Sequence, residues 1–275
     1  MPSAQVVGKA LGVLFATAVL AVGQSVPDQP DALDVLKNVA LTYSAMRTYF
    51  AKSTTVMEMN GPNMQTKIET PLTITEDSSG KMRMETTSMG GTLTVFDGST
   101  LWIYMSSLNK YMKMPSISVA SSGQPGAGME VFSPGTNSFL GYRSVASNVK
   151  EAEILRSEKL HANGSEVDCW VLSVEYQPAG GQVSSEQTAS APAVDLASTK
   201  TLWVDKTHYL VYGEDSTDKM NMPGAAAPTQ TKRTIKFERI TVDQPIPEDT
   251  FAFTPPPGAT EMDLSSFIPK TLPTK

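Results

Sequence analysis

Cysteine is almost missing from this chain of 275 residues, and histidine is scarce: Cys169 stands alone, and the two histidines are His161 and His208. A single cysteine forbids an intramolecular disulfide, so stability must come from a packed core. Cys169 lies in an apolar run with Val167 and Trp170 to Leu172, the setting of a buried, inert thiol. Each histidine sits in or beside a turn, and neither is paired with a nucleophile. HExxH, GxSxG, phosphate-loop and dinucleotide-binding patterns are all absent. Ser78-Ser79-Gly80-Lys81 and Ser107-Leu108-Asn109-Lys110 match the short S-x-x-K pattern. Both fall in strand-connecting turns rather than at a helix start, and no companion motif follows. The expectation is a protein that is not an enzyme, with no catalytic residues, no cofactor and no metal.

Long apolar runs are also lacking. The one uncharged stretch, Ala10 to Gly23, has fourteen residues, whereas a spanning helix needs roughly 20. Lys9 precedes it, and Ala21 and Gly23 occupy the −3 and −1 positions of a cleavage before Gln24. This predicts a secretory signal peptide over residues 1–23 and a periplasmic mature chain, with a retained N-terminal anchor as the alternative. No cysteine follows the run, so the mature end carries no lipid. Removing residues 1–23 takes one lysine and no acid from a net charge of −6, leaving −7. That balance argues against nucleic acid as a partner and against an electrostatic grip on anionic membranes.

What the chain does have is one helix and many strands. Pro30-Asp31 supplies a stop and a cap, after which Leu33, Leu36, Ala40, Tyr43 and Met46 recur at helical spacing. Asp34, Lys37 and Asn38 make the polar side. Beyond Arg47, Thr, Val, Ile, Tyr and Met dominate, and turn signals arrive about every ten to fifteen residues. Asp97-Gly98, between LTVF and STLWIYM, is the sharpest hairpin signal. A second set of strands covers 151–160, 165–177, 199–205, 209–216 and 231–242, with a turn at His161 to Gly164. Tight turns between consecutive strands imply an antiparallel meander. Residues 115–148 interrupt it with Gly, Ser and Pro and a short helix near 136–148. Residues 178–198, rich in Ala, Ser and Gln, read as a flexible insertion, and 264–275 as an extended tail.

Methionine is the unusual component, with fifteen in the chain. Met57-x-Met59, Met82-x-Met84, Met112-x-Met114 and Met220-x-Met222 share one spacing, and in a strand such pairs project from the same face. Three uses fit this pattern. The pairs can be ordinary core, they can line an adaptable cavity for acyl chains, or they can offer soft thioethers to Cu(I). Val95, Trp102, Tyr104, Trp170 and Trp203 join the first three methionine pairs as candidate cavity residues. Trp102 and Tyr104 share one face of their strand while Leu101, Ile103 and Met105 share the other, so that strand is covered on both sides.

Three phrases in order carry a family resemblance. VFDGSTLWIYMSSLNKYMKMP, TLWVDKTHYLVYGEDS and IPEDTFAFTPPPGATEMD are similar to the "DG-x-x-LW-x-Y", "LW-[VI]-D" and "F-x-F-x-P-P-x-G" phrases of lipoprotein-carrier (LolA/LolB-like, outer-membrane lipoprotein-sorting) proteins, over roughly Asp31 to Asp263. The resemblance implies a mainly β (α+β) fold. A strongly curved antiparallel sheet forms an unclosed half-barrel, with the N-terminal helix and short helices covering the cavity, in a single domain over 24–263. It also implies a non-catalytic carrier or binder of lipid or lipoprotein acyl chains, working with an inner- or outer-membrane partner protein. By the same resemblance Arg83, in KMRMET, would contact the helical lid. The Ala/Ser-rich insertion and Pro-rich tail depart from the family and mark a divergent relative. The alternative is an envelope regulatory or structural protein that binds a protein partner through a similar sheet.

Overall fold

Asp31 opens the helix where the sequence predicts it: in the computed structural model, its carboxylate accepts the backbone N–H of Leu33 at 2.8 Å and of Asp34 at 3.2 Å. These are donors that a first helical turn leaves open. The structure describes residues 29–61, 64–115, 139–177, 199–220 and 229–262. The expectations for 1–23, 178–198, 264–275 and Met222 therefore lie outside the described residues. Helix α1 (Ala32–Ala45) buries Ala32, Val35, Leu36, Val39 and Tyr43. Leu33, expected on that stripe, is exposed instead. One residue step turns it about 100° from Ala32, off the buried side.

The rest is strand. In chain order these are β1 (Thr48–Gly61), β2 (Met64–Asp77), β3 (Met82–Thr86), β4 (Thr92–Phe96), β5 (Thr100–Met105) and β6 (Lys110–Pro115). One helical turn, α2 (Phe139–Tyr142), precedes β7 (Val149–Ala162), β8 (Ser165–Tyr176), β9 (Thr199–Asp205), β10 (Val211–Met220), β11 (Thr229–Val242) and β12 (Thr260–Glu261). They form one sheet in the order β12-β6-β5-β4-β3-β2-β1-β11-β10-β9-β8-β7. Neighbours are antiparallel except β12, which runs parallel to β6. The two ends of this order do not pair with each other, so the sheet is open, as the mainly β reading expects. It coils at one end: the turn residue Asn163, between β7 and β8, donates its N–H to the carbonyl of Glu238 at 2.9 Å. Its side chain accepts from the N–H of Ile240 at 2.8 Å. Both partners are on β11, three strands away from β8.

The Asp97 hairpin shows why such turns were legible. Its carboxylate accepts the N–H groups of Ser99 and Thr100, each at 2.8 Å, and Gly98 takes φ +97°, a conformation that costs glycine little.

Alternation then sorts the sheet into two faces. The inner face, which packs against α1, carries the row Ala51–Ile74–Met84–Thr94–Ile103–Met112 across β1 to β6, each residue in register with the next. Tyr49–Glu76–Met82–Phe96–Leu101–Met114 is the adjacent row. One core joins α1 to Tyr49, Ala51, Ile74 and Met82, and on the other half of the sheet to Leu172, Leu202, Val204, Ile235 and Phe237.

Three tyrosines lock the helix down. The ring of Tyr43 lies 5.9 Å from that of Tyr49 and 4.9 Å from that of Tyr142, and its hydroxyl accepts the N–H of Val211 at 3.2 Å. The Arg143 guanidinium donates to the Tyr43 carbonyl at 3.3 Å, satisfying an end-of-helix acceptor. Burial pushes all three phenols well above their usual value of 10.0, and the carboxylates Glu76, beside Tyr49, and Glu214, beside Tyr142, push the same way.

Two outcomes follow from this packing. Leu36 is fully buried, so Leu36→Ala is expected to cost about 2–5 kcal/mol, read as a lower denaturant midpoint. Unfolded tyrosines ionise near pH 10 while the buried ones stay protonated, so stability present below pH 10 is lost as the pH rises above it. The denaturant midpoint, followed to about pH 11.5, should hold and then fall, less steeply in Tyr142→Phe. A midpoint that stays level would show these hydroxyls to be solvated.

Candidate functional site

Three strands turn the methionine pairs to one face, with Met57 and Met59 further along β1 than Ala51, the residue in register with Ile74 and Met84. Met57 and Met59 on β1, Met82 and Met84 on β3, and Met112 and Met114 on β6 all point to the inner face. Met82 and Met84 are buried, and the other four are half-buried. Ile74, Leu101 and Ile103 fill the positions between them and are themselves buried. The result is a broad apolar surface whose most deformable side chains are unbranched thioethers. Trp170 is inner as well, because Leu172, two residues on, is in register with Leu202 and, through it, with Glu214 and Ile235. Met220 closes β10, and its side chain lies outside the described residues.

The remaining sequence candidates lie on the opposite face. Val95 is fully buried and pairs across strands with Arg83 and Trp102. Trp102, Tyr104 and Tyr111 surround Phe253, with ring centroids 5.4, 6.1 and 6.0 Å away. Lys113 lies over the Trp102 ring at 4.8 Å. Trp203 packs over Gly213 and donates its indole N–H to Glu158 at 3.2 Å. Arg83 bonds Glu85 at 2.6 Å and reaches the Thr250 carbonyl at 3.4 Å. Among the described residues its partners are thus Glu85 and the C-terminal segment on the outer face, rather than a helix: alternation along β3 turns Arg83 away from the side that α1 covers. That segment leaves β11, crosses the outer face and joins the edge of β6 through β12.

Clefts flank the crossing segment. One of about 330 Å³ lies among Phe50, Arg239, Pro245, Ile246 and Pro247. Another of about 500 Å³ lies among Lys52, Pro71, Arg83, Leu93 and Tyr104.

The inner face also holds charged groups that sequence reasoning passed over. Glu214 is 1% exposed and accepts three bonds: from Lys200 Nζ at 3.0 Å, Arg233 Nη2 at 3.1 Å and the Tyr142 hydroxyl at 3.3 Å. Glu76, also 1% exposed, sits in register between Tyr49 and Met82. Glu76 was legible, because it continues the inward alternation Leu72, Ile74, Glu76. Glu214 was not: β10 shifts register between Val211 and Gly213, which changes the residues that face inward. Burial pushes the Cys169 thiol up to about 12, with Asp205 and Asp168 adding to the shift, so it stays protonated at neutral pH. No helix among the described residues is long and apolar enough to cross a membrane.

No family model matches the chain, and no curated protein matches it significantly. Solved structures do. An uncharacterized conserved protein of Thermus thermophilus is 12% identical, with 84% of this chain and 98% of that one covered and a TM-score of 0.43. A LolA superfamily protein of Nitrosomonas europaea is 11% identical, with 82% and 99% covered and a TM-score of 0.32. MucB of Pseudomonas aeruginosa, solved with MucA, is 16% identical, with 82% and 62% covered and a TM-score of 0.36. A LolA superfamily protein is thus among the solved structures that this chain resembles.

Proposed function

We propose that the protein is an exported, periplasmic and non-catalytic binder of lipid or lipoprotein acyl chains, which lie along the methionine rows of the inner face beneath α1. The observation that supports this most directly is that Met57, Met59, Met82, Met84, Met112 and Met114, from three separate strands, all face the same side of the sheet. Thioethers reshape around a flexible chain better than branched side chains do. Each methylene buried contributes about 0.8 kcal/mol. A dozen supply roughly 10 kcal/mol before the costs of association and of displacing the cover. On this reading residues 24–263 act as one lipid-binding domain after removal of 1–23, and release depends on a membrane partner that binds the opened state better than the closed one.

The outer face favours a second reading. Phe253 occupies an aromatic cluster that would equally hold a phenyl side chain from another polypeptide, next to an edge strand paired by β12 only at Lys110 and Tyr111. On that reading the protein binds a protein partner.

A diazirine-bearing fatty acid separates the two readings. After photolysis and peptide mass spectrometry, adducts are expected on β3 and β6 at the inner methionines, with uptake reduced several-fold in Met84→Gln. Adducts confined to Trp102, Tyr104 and Phe253, or no incorporation at all, would overturn the inner-face proposal and leave the partner-binding one.

A further inference from the structure

One inner-face row differs in character from the methionine rows. It runs Val174–Lys200–Ser216–Arg233–Met57–Ile68 across β8, β9, β10, β11, β1 and β2, with each residue in register with the next. Two cations therefore flank a serine, and the second cation abuts Met57. Their common carboxylate, Glu214, lies in the adjoining row. Lys200 and Arg233 keep 24% and 20% of their side-chain surface exposed, whereas Glu214 keeps 1%. Glu214 engages one nitrogen of each cation, and Lys200 also lies 6.0 Å from the Tyr176 ring.

Several buried donors of this row lack an acceptor among the described residues. Among the described residues Arg233 Nε is buried with no partner, and so is Ser216 Oγ, on a residue only 3% exposed. Thr55 Oγ1, in the next row beside Ile235, is a further buried hydroxyl without a partner among the described residues. Leaving such groups unmet is costly, and a guanidinium, an ammonium and a hydroxyl side by side match the oxygens of an oxyanion.

We propose that Lys200, Ser216 and Arg233 form an anion-binding pole of the inner face, which takes the carboxylate or phosphate head of an amphiphile while its chain runs over Met57 towards the methionine rows. This rests on the acyl-chain reading and adds the chemistry of the ligand's head: a single-chain anion is preferred to a neutral amphiphile of equal length. The register supplies the direction, because the cations and the first thioether are consecutive members of one row.

Calorimetric titration of the intact chain with dodecyl phosphate, a neutral dodecyl polyoxyethylene ether and inorganic phosphate alone tests it. Dodecyl phosphate should bind at least about tenfold tighter than the ether, a difference typical of charge-assisted bonds. Arg233→Gln should bring the ratio close to one, and Ser216→Ala should reduce it several-fold. Lys159→Gln, at an exposed position on β7, should leave it unchanged. Ser216→Ala and Lys200→Gln decide the matter if Arg233→Gln does not fold. Equal affinity for the two amphiphiles overturns the anion pole while the acyl-chain reading stands, and binding of neither overturns both. Inorganic phosphate bound as tightly as dodecyl phosphate would identify a free oxyanion as the ligand and overturn the amphiphile.

Discussion

One buried carboxylate, Glu214 on β10, is where the helices meet the sheet. It takes Lys200 from β9, Arg233 from β11 and the Tyr142 hydroxyl from α2. Tyr142 packs at a tilt against the Tyr43 ring, and Tyr43 fixes α1 through the N–H of Val211. A carboxylate at 1% exposure is tolerable only with partners of this kind, because withdrawing a charge from water costs several kcal/mol before any pairing. An apolar substitute of similar volume could stabilise the sheet as well, yet it would not set where α2 and α1 come to rest. Glu214 thus specifies the seating of the cover more than it adds to the strength of the core.

Around that anchor the sheet keeps two apolar surfaces with different owners. The inner one is shared between α1 and flexible thioethers; the outer one is closed by the chain's own C-terminal segment, with Phe253 among Trp102, Tyr104 and Tyr111. Strand β5 is the hinge of this division: Leu101 and Ile103 serve one side, Trp102 and Tyr104 the other. A sheet covered on both faces can change its cover on one side while the other maintains the fold, as the proposed binding of a ligand on the inner face would require.

Much of this was legible in the linear chain. The Asp31 cap, the Asp97-Gly98 hairpin and the positions of most strands follow from side-chain chemistry and period, which act over a few residues. The spacing of the methionine pairs likewise showed that both members of each pair share a face. Other features were not legible. Treating Trp102 and Tyr104 as companions of the methionines required knowing which face α1 covers, and nothing within a strand says so. Leu33 and Leu36 look alike as helical apolar residues until the sheet chooses one side of the helix.

The sequence by itself determined the class of the protein: strand-rich, without a disulfide, with one capped helix and no catalytic pattern. These properties are local or compositional, so they survive without coordinates. Only the tertiary structure decided which faces meet, that the register shift in β10 turns Glu214 inward, that Lys200, Ser216, Arg233 and Met57 form one row, and that Arg83 reaches Thr250 on the outer face. The physical reason is one of range. Alternation fixes the relative orientation of residues along one strand, whereas pairing between strands far apart in the chain, together with bulges that alternation does not reveal, fixes which side chains share a surface.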